Sequence, residues 1–127
     1  MTGINDLIGK PFVDCGRGPH GYDCWGLVRE IYRRHGVEIP DYSISAESCA
    51  EITGAVQDGM QSGAWLELHQ PETPCLVVIR IHPNFSVHLG VYVGYGRFLH
   101  VKNAVVIDKV SDPVWIRRIH GYWRYVG

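Results

Sequence analysis

Residues 23–36, with the sequence DCWGLVREIYRRHG, contain the clearest secondary-structure pattern in this chain. Apolar or aromatic side chains recur at positions 24, 27, 28, 31 and 32, which is the spacing of one face of an α-helix. Asp23 is a favoured N-cap residue, and Gly36 is of the type that commonly follows a helix C-terminus. The pattern therefore predicts an amphipathic helix over residues 24–35 whose first residue is a cysteine.

The sequence on either side of this helix predicts a mixed fold. Glycine and proline interrupt any period over residues 9–23, which indicates a loop, and weaker helices are predicted over residues 4–8 and 46–60. From residue 74 onward, apolar and alternating segments predict strands. These cover residues 75–81, 87–93, 97–101, 105–110 and 114–119. Helices followed by an antiparallel sheet predict an α+β fold.

The composition is that of one globular domain, residues 1–127. Hydrophobic residues make up 46% of the chain and the formal net charge is -1, so the basic excess typical of nucleic-acid-binding proteins is absent. The apolar segments are too short to span a membrane. The N-terminal residues lack the basic and apolar regions of a secretory signal, which predicts synthesis in the cytoplasm without a signal peptide.

Cys24 is the first candidate for chemistry. Backbone N–H groups at a helix start, together with the helix dipole, stabilise a thiolate and so lower the pKa of a cysteine there. Cys24 also lies on the apolar face of the helix, where a side chain from the body of the protein could meet it. The alternative is a small buried residue in an apolar stripe, and position alone favours that interpretation.

His88 is a candidate partner for this cysteine. It lies in a predicted strand whose other face is entirely aliphatic, and Gly90 on its own face leaves space above the sheet. We expect the helix that begins at Cys24 to occupy that space. A neutral His88 imidazole would then take the thiol proton and later protonate a leaving amine.

The position of His100 depends on the hairpin between the strands over residues 87–93 and 97–101. A two-residue loop would place His88 and His100 on opposite faces of the sheet, whereas a three-residue loop over residues 94–96 would place them on the same face. Gly96 suits the left-handed conformation that the longer loop needs, so we expect the second arrangement. His100 would then orient His88 through a hydrogen bond; the alternative is a polar residue at a sheet edge.

Three segments resemble those of the NlpC/P60 family of cysteine peptidases. Residues 22–28, YDCWGLV, resemble the family's nucleophile motif, and residues 88–100, HLGVYVGYGRFLH, resemble its histidine segment. Residues 9–12, GKPF, resemble the approach to the nucleophile. The resemblance implies a papain-like α+β fold, catalytic roles for Cys24, His88 and His100, and no metal or other cofactor. It also implies hydrolysis of amide bonds in peptidoglycan stem peptides, often beside a D-glutamyl residue.

Four residues around the nucleophile are predicted to contact substrate: Phe12, Tyr22, Asp23 and Trp25. Two of them depart from the family pattern, since Phe12 stands where tyrosine is frequent and Trp25 where serine is usual. Tryptophan at this position, like the sequence GYWRY of residues 121–125, resembles stand-alone relatives from bacteriophage and prophage tails. This resemblance implies a tail component with other tail proteins as partners, located in the virion and acting at the cell wall.

Two other functions remain open. A module with the same fold could bind within a tail assembly without turnover, because the indole of Trp25 could fill the cleft and Phe12 lacks a hydroxyl group. An acyltransferase would use the same chemistry with an acceptor other than water. Residues 41–72 are interpreted as either a lid or a partner surface.

The remaining cysteines and histidines have simpler interpretations. A metal site is disfavoured, because no carboxylate or cysteine completes a set of ligands with His82, His88 and His100. The cysteines outside the nucleophile motif are interpreted as small packing residues. These are Cys15, Cys49 and Cys75.

Overall fold

The computed structural model describes residues 3–40, 63–82 and 86–127. Their helices and strands are, in chain order, α1 (Cys24–Arg34), β1 (Trp65–Leu68), β2 (Cys75–His82), β3 (Ser86–Gly94), β4 (Arg97–Val101), β5 (Val105–Lys109), α2 (Pro113–Ile116) and β6 (Ile119–Tyr125). The strands form an antiparallel sheet in the order β1-β6-β2-β3-β4-β5. α1 packs against β3 and β4. This arrangement confirms the predicted α+β class.

α1 begins and ends where local chemistry predicts. The Asp23 carboxylate accepts a hydrogen bond from the Gly26 N–H at 2.7 Å, which satisfies an amide that has no acceptor within the helix. At the other end, Gly36 adopts a φ of +80° and its amide donates to the Arg33 carbonyl. Such a left-handed glycine ends the helix at Arg34.

The two faces of the sheet have different partners. One face carries Leu89 and the other aliphatic residues of β3 and β4, and it packs on α1. The opposite face carries Phe98, which Trp115 of α2 covers. Since side chains alternate along a strand, His88 and His100 lie on this second face.

The β3–β4 hairpin places both histidines on one face, as predicted, but by a different route. Residues 95 and 96 form a two-residue turn with positive φ at both positions. A bulge just before this turn, between Tyr92 and Gly94, shifts the register by one residue, so that Gly90 pairs with His100. The strand therefore supplies the extra residue that the sequence analysis assigned to the loop.

Two predicted elements differ in the structure. Residues 5–9 form turns in place of the helix predicted over residues 4–8. The strand predicted over residues 114–119 is replaced at its start by α2, because Asp112 caps the Val114 amide at 2.8 Å and Pro113 favours a helix start. The chain returns to strand only at Ile119, in β6.

The helix predicted over residues 46–60 lies outside the described residues. Among the helices that the structure does describe, none is both long and apolar enough to cross a membrane.

Candidate active site

A loop over residues 9–22 holds the start of α1 at one end of the sheet. The Phe12 amide donates to the Asn103 carbonyl at 2.8 Å, in the turn between β4 and β5. The Tyr22 amide, two residues before Cys24, donates to the Pro11 carbonyl at 3.1 Å. The first residue of α1 therefore lies near the end of β4.

An ion pair between buried Asp23 and partly exposed Arg17 supports the cap of α1. Asp23 is completely buried, and its Oδ1 atom accepts hydrogen bonds from the Gly26 amide and from the Arg17 guanidinium, each at 2.7 Å. Arg17 also donates to the Gly16 carbonyl at 3.1 Å. A side chain at Gly26 would overlap this carbonyl. These contacts fix the backbone around Cys24, and Arg17 is a supporting residue that the sequence analysis missed.

A direct hydrogen bond joins two of the three predicted catalytic residues. His88 Nε2 lies 3.0 Å from His100 Nδ1. His100 is fully buried and His88 is partly buried. Since His100 is the next-to-last residue of β4, the pair lies close to the turn that the loop over residues 9–22 contacts before the chain enters α1. The predicted contact between the histidines is confirmed, and their catalytic role stays a prediction.

The space beside Gly90 is filled by the sheet itself. A Cβ atom at this position would meet the Leu99 carbonyl oxygen at 2.8 Å and Phe98 Cδ2 at 3.1 Å. Phe98 stacks on the His100 ring with centroids 4.8 Å apart. The expectation that α1 occupies this space is wrong, because α1 packs on the opposite face. Gly90 instead makes room for the aromatic ring that supports His100.

The site includes a carboxylate that the sequence analysis missed. His100 Nε2 lies 2.6 Å from Asp108 Oδ2, on the neighbouring strand β5. The strand register contains the signal, because His100 pairs with Val106 and the residue two positions further along β5 shares its face. Across the described parts of the chain, no three His, Cys, Asp or Glu side chains are grouped as metal ligands.

Burial sets the charge state of both histidines. It lowers the pKa of His88 from 6.5 to about 4, with smaller contributions from repulsion by His100 and Lys102. It also lowers the pKa of His100, although the hydrogen bond and the charge of Asp108 act in the opposite direction. Both imidazoles are therefore neutral at pH values near 7, and His88 can accept a proton.

Because the folded protein disfavours the charged form of His88, its stability should fall on acidification. Unfolded histidine binds its proton at a pKa of 6.5 whereas folded His88 binds it at about 4, so between these values the unfolded state binds more protons. We expect the free energy of unfolding to decrease by up to roughly 3 kcal/mol across this window. Chemical denaturation at pH values from about 7 to about 4 would measure the decrease.

Two variants separate the contribution of His88 from that of other groups. The His88→Gln variant should show a shallower decrease over the same pH window. The His120→Gln variant, which changes an exposed residue of β6, should behave like the wild type. An equal decrease in the free energy of unfolding of all three proteins would show that His88 is not its source.

Three of the four predicted substrate-binding residues are buried. Trp25 is 1% exposed, and its indole N–H donates to the Pro40 carbonyl at 2.9 Å. Tyr22 and Asp23 are 2% and 0% exposed. A substrate contact by these three residues is not supported, because their side chains are enclosed by the core and the α1 cap. Phe12 is 40% exposed and retains surface for a ligand.

The other cysteines differ from one another. Cys75 is fully buried in β2, as predicted, and burial raises the pKa of its thiol to about 12. Cys15 is exposed, contrary to its interpretation as a packing residue, because it occupies a left-handed position (φ 59°) in the surface loop before α1. Cys49 lies outside the described residues.

Comparison with known proteins points to one family. The model of the NlpC/P60 family matches residues 9–124. A Bacillus cereus protein named "Gamma-D-glutamyl-L-lysine dipeptidyl-peptidase" is 24% identical over 123 residues, which cover 94% of this chain and 34% of that protein. A Listeria grayi protein named "Probable endopeptidase p60" is 24% identical over 118 residues, which cover 92% of this chain and 20% of that protein. This chain thus spans about a third or less of these relatives.

Solved structures share the fold. An NlpC/P60 family protein from Bacillus cereus superposes with a TM-score of 0.63 at 24% identity, over 95% of this chain and 37% of that one. The NlpC/p60 domain of peptidoglycan hydrolase SagA superposes with a TM-score of 0.54 at 20% identity, over 92% of this chain and 87% of that one. These similarities confirm the predicted fold.

Proposed function

Since the chain belongs to the NlpC/P60 family, we propose that it is a cysteine peptidase in which Cys24 is the nucleophile. His88 acts as general base and acid, and His100 orients His88. The observation that carries this proposal is the hydrogen bond of 3.0 Å between His88 and His100, close to the turn that the loop leading to Cys24 contacts. Neutral imidazole, the form that burial favours at both positions, is the form that a general base requires.

The first half-reaction forms a thioester. The Cys24 sulfur attacks the scissile carbonyl carbon while its proton passes to His88, and the carbonyl oxygen becomes an oxyanion. When this intermediate collapses, the bond between carbon and nitrogen breaks and His88 gives its proton to the departing amine. The acyl group then remains on the Cys24 sulfur, and His88 is neutral again.

The second half-reaction releases the acyl group. A water molecule attacks the thioester carbon and gives a proton to His88. The bond between carbon and sulfur then breaks, and the sulfur regains its proton from His88. The products are one carboxylic acid and one amine, and the free enzyme is restored.

We propose that the substrate is an amide bond in a peptidoglycan stem peptide. Three relatives support this proposal by name: the Bacillus cereus protein is a γ-D-glutamyl-L-lysine dipeptidyl-peptidase, the Listeria grayi protein is a probable endopeptidase, and SagA is a peptidoglycan hydrolase. Phe12, which lies in the loop that leads to Cys24 and is 40% exposed, is the residue we expect to contact the peptide. The buried position of Trp25 removes the steric ground for a module whose cleft is filled by the indole.

The test is incubation of the purified chain with muropeptides that carry lysine or diaminopimelate. Mass spectrometry should find two products from one muropeptide whose masses sum to the substrate plus one water. Products that carry an added amine in place of water would identify an acyltransferase. The absence of products from every muropeptide would overturn the proposal.

A role in a phage or prophage tail stays a proposal from sequence. It rests on Trp25 and on residues 121–125, which the structure places in the core and in β6. Detection of the chain in purified tail particles of a lysogen that encodes it would support the tail role, and its absence from them would count against it.

A further inference from the structure

Asp108, His100 and His88 form a continuous chain of hydrogen bonds across three neighbouring strands. Asp108 Oδ2 lies 2.6 Å from His100 Nε2, and His100 Nδ1 lies 3.0 Å from His88 Nε2. We propose that Asp108 is a positioning residue that determines which ring nitrogen of each histidine carries its proton. This inference rests on the proposed function, in which His88 must present an unprotonated nitrogen to the Cys24 thiol.

The assignment follows from the donors and acceptors along the chain. A carboxylate can only accept, so His100 Nε2 must carry the proton in its bond to Asp108. A neutral imidazole has one N–H, and His100 Nδ1 is therefore an acceptor. His88 Nε2 must then be the donor in the bond between the histidines. The remaining lone pair of His88 is on Nδ1, which becomes the atom that takes the thiol proton.

The surroundings of His100 hold its ring in the orientation that the hydrogen bonds to Asp108 and His88 require. Phe98 stacks on the ring with centroids 4.8 Å apart, and Trp115 contacts it edge-on at 4.7 Å. Lys102 Nζ lies 5.2 Å from the centre of the Trp115 ring, on the side of the sheet that α2 covers. The ring cannot turn over without displacing Phe98 or Trp115. The aromatic rings thus fix the orientation of His100, and Asp108 fixes the position of its proton.

The neutral state of the pair supports the same assignment. Burial lowers the pKa of both histidines, and repulsion from Lys102 acts in the same direction. At His100 only Asp108 opposes this trend. The Asp108 carboxylate places a negative charge two hydrogen bonds from His88. When His88 takes a proton at Nδ1, that negative charge stabilises the imidazolium through His100.

Loss of the Asp108 carboxylate would allow the donor and acceptor roles in these two hydrogen bonds to reverse. In the Asp108→Asn variant the new amide can donate to His100 Nε2, because an amide has both donors and an acceptor. His100 Nδ1 would then carry the proton and donate to His88 Nε2. The proton of His88 would move to Nδ1, and His88 could no longer act as a base at that atom.

Nitrogen-15 NMR of the histidine rings near pH 7 tests this directly, without substrate. In the wild type, both His88 and His100 should be in the form protonated at Nε2. In Asp108→Asn, the form of His100 protonated at Nδ1 should appear. Asp6→Asn is the matched control, because it also loses a charged hydrogen bond, at 2.8 Å to Arg34, outside the site. It should leave both histidines unchanged.

A kinetic measurement adds a readout that a purely structural role would not move. The kcat of Asp108→Asn should fall about ten- to hundredfold with KM unchanged, and Asp6→Asn should keep the wild-type kcat. A wild-type His100 protonated at Nδ1 would overturn the inference, even if the variant fails to fold. Unchanged tautomers and kcat in a folded Asp108→Asn would overturn it as well.

The outcomes also separate this inference from the proposed function. Tautomers as expected in a chain that hydrolyses no muropeptide would support the role of Asp108 in setting the tautomers and overturn the peptidase. Hydrolysis that requires Cys24, with tautomers unchanged by Asp108→Asn, would support the peptidase and overturn the role of Asp108 in setting the tautomers.

Discussion

Replacing Cys24 with alanine is expected to abolish release of new amine termini from muropeptides. No thioester can form without the sulfur, so the rate should fall by at least about a thousandfold, to that of the uncatalysed background. Initial rates of product formation, followed by mass spectrometry, measure the effect.

Cys15 provides the matched control for this substitution. It is an exposed thiol in the loop that leads to α1, and the Cys15→Ala variant should keep full activity. If Cys24→Ala retained a tenth or more of the wild-type rate, Cys24 would not be the nucleophile.

The His88→Gln variant should lose activity to a similar extent, by about a thousandfold in kcat. Glutamine can keep a hydrogen bond to His100, but its amide cannot take the thiol proton. Steady-state rates across a pH series measure the loss. In the wild type, kcat/KM should fall only as the pH drops toward the pKa of His88, about 4, rather than near 6.5.

The control for His88 is the exposed His120 of β6. The His120→Gln variant should reproduce both the rate and the pH profile of the wild type. Activity of His88→Gln within tenfold of the wild type would show that another group serves as the base.

Local chemistry made α1 and the histidine pair predictable. Asp23 and Gly36 act through hydrogen bonds and backbone angles close in sequence, so they define the helix without knowledge of the rest of the fold. The relation between His88 and His100 depends on one hairpin only. Its outcome was predicted correctly although the extra residue lies in a bulge, because a bulge and a longer loop change the register in the same way.

Contacts between distant segments could not be predicted in the same way. The bond between His100 and Asp108 depends on the register of β4 with β5, and the turn between them is held by the loop that contains Phe12. β1 has four residues without a clear alternation and is defined by its pairing with β6, as in Trp65 opposite Tyr125.

The burial of Trp25 also depends on contacts with segments that are distant in the sequence. Its indole N–H donates to the Pro40 carbonyl, and its ring packs against Trp65, which lies beyond α1 in the chain. In the sequence Trp25 is an indole next to Cys24, whereas in the fold it belongs to the core.

The activation of Cys24 by His88 is tested most directly by the rate at which iodoacetamide alkylates each cysteine near neutral pH, with the labelled peptides identified by mass spectrometry. In the proposed mechanism the helix start stabilises the thiolate and His88 accepts its proton, so Cys24 should be alkylated faster than Cys15 even though Cys15 is the more exposed of the two. The His88→Gln variant should slow the alkylation of Cys24 and leave that of Cys15 unchanged. Alkylation of Cys24 no faster than that of Cys15, or at the same rate with and without His88, would contradict the proposed activation of Cys24 by His88.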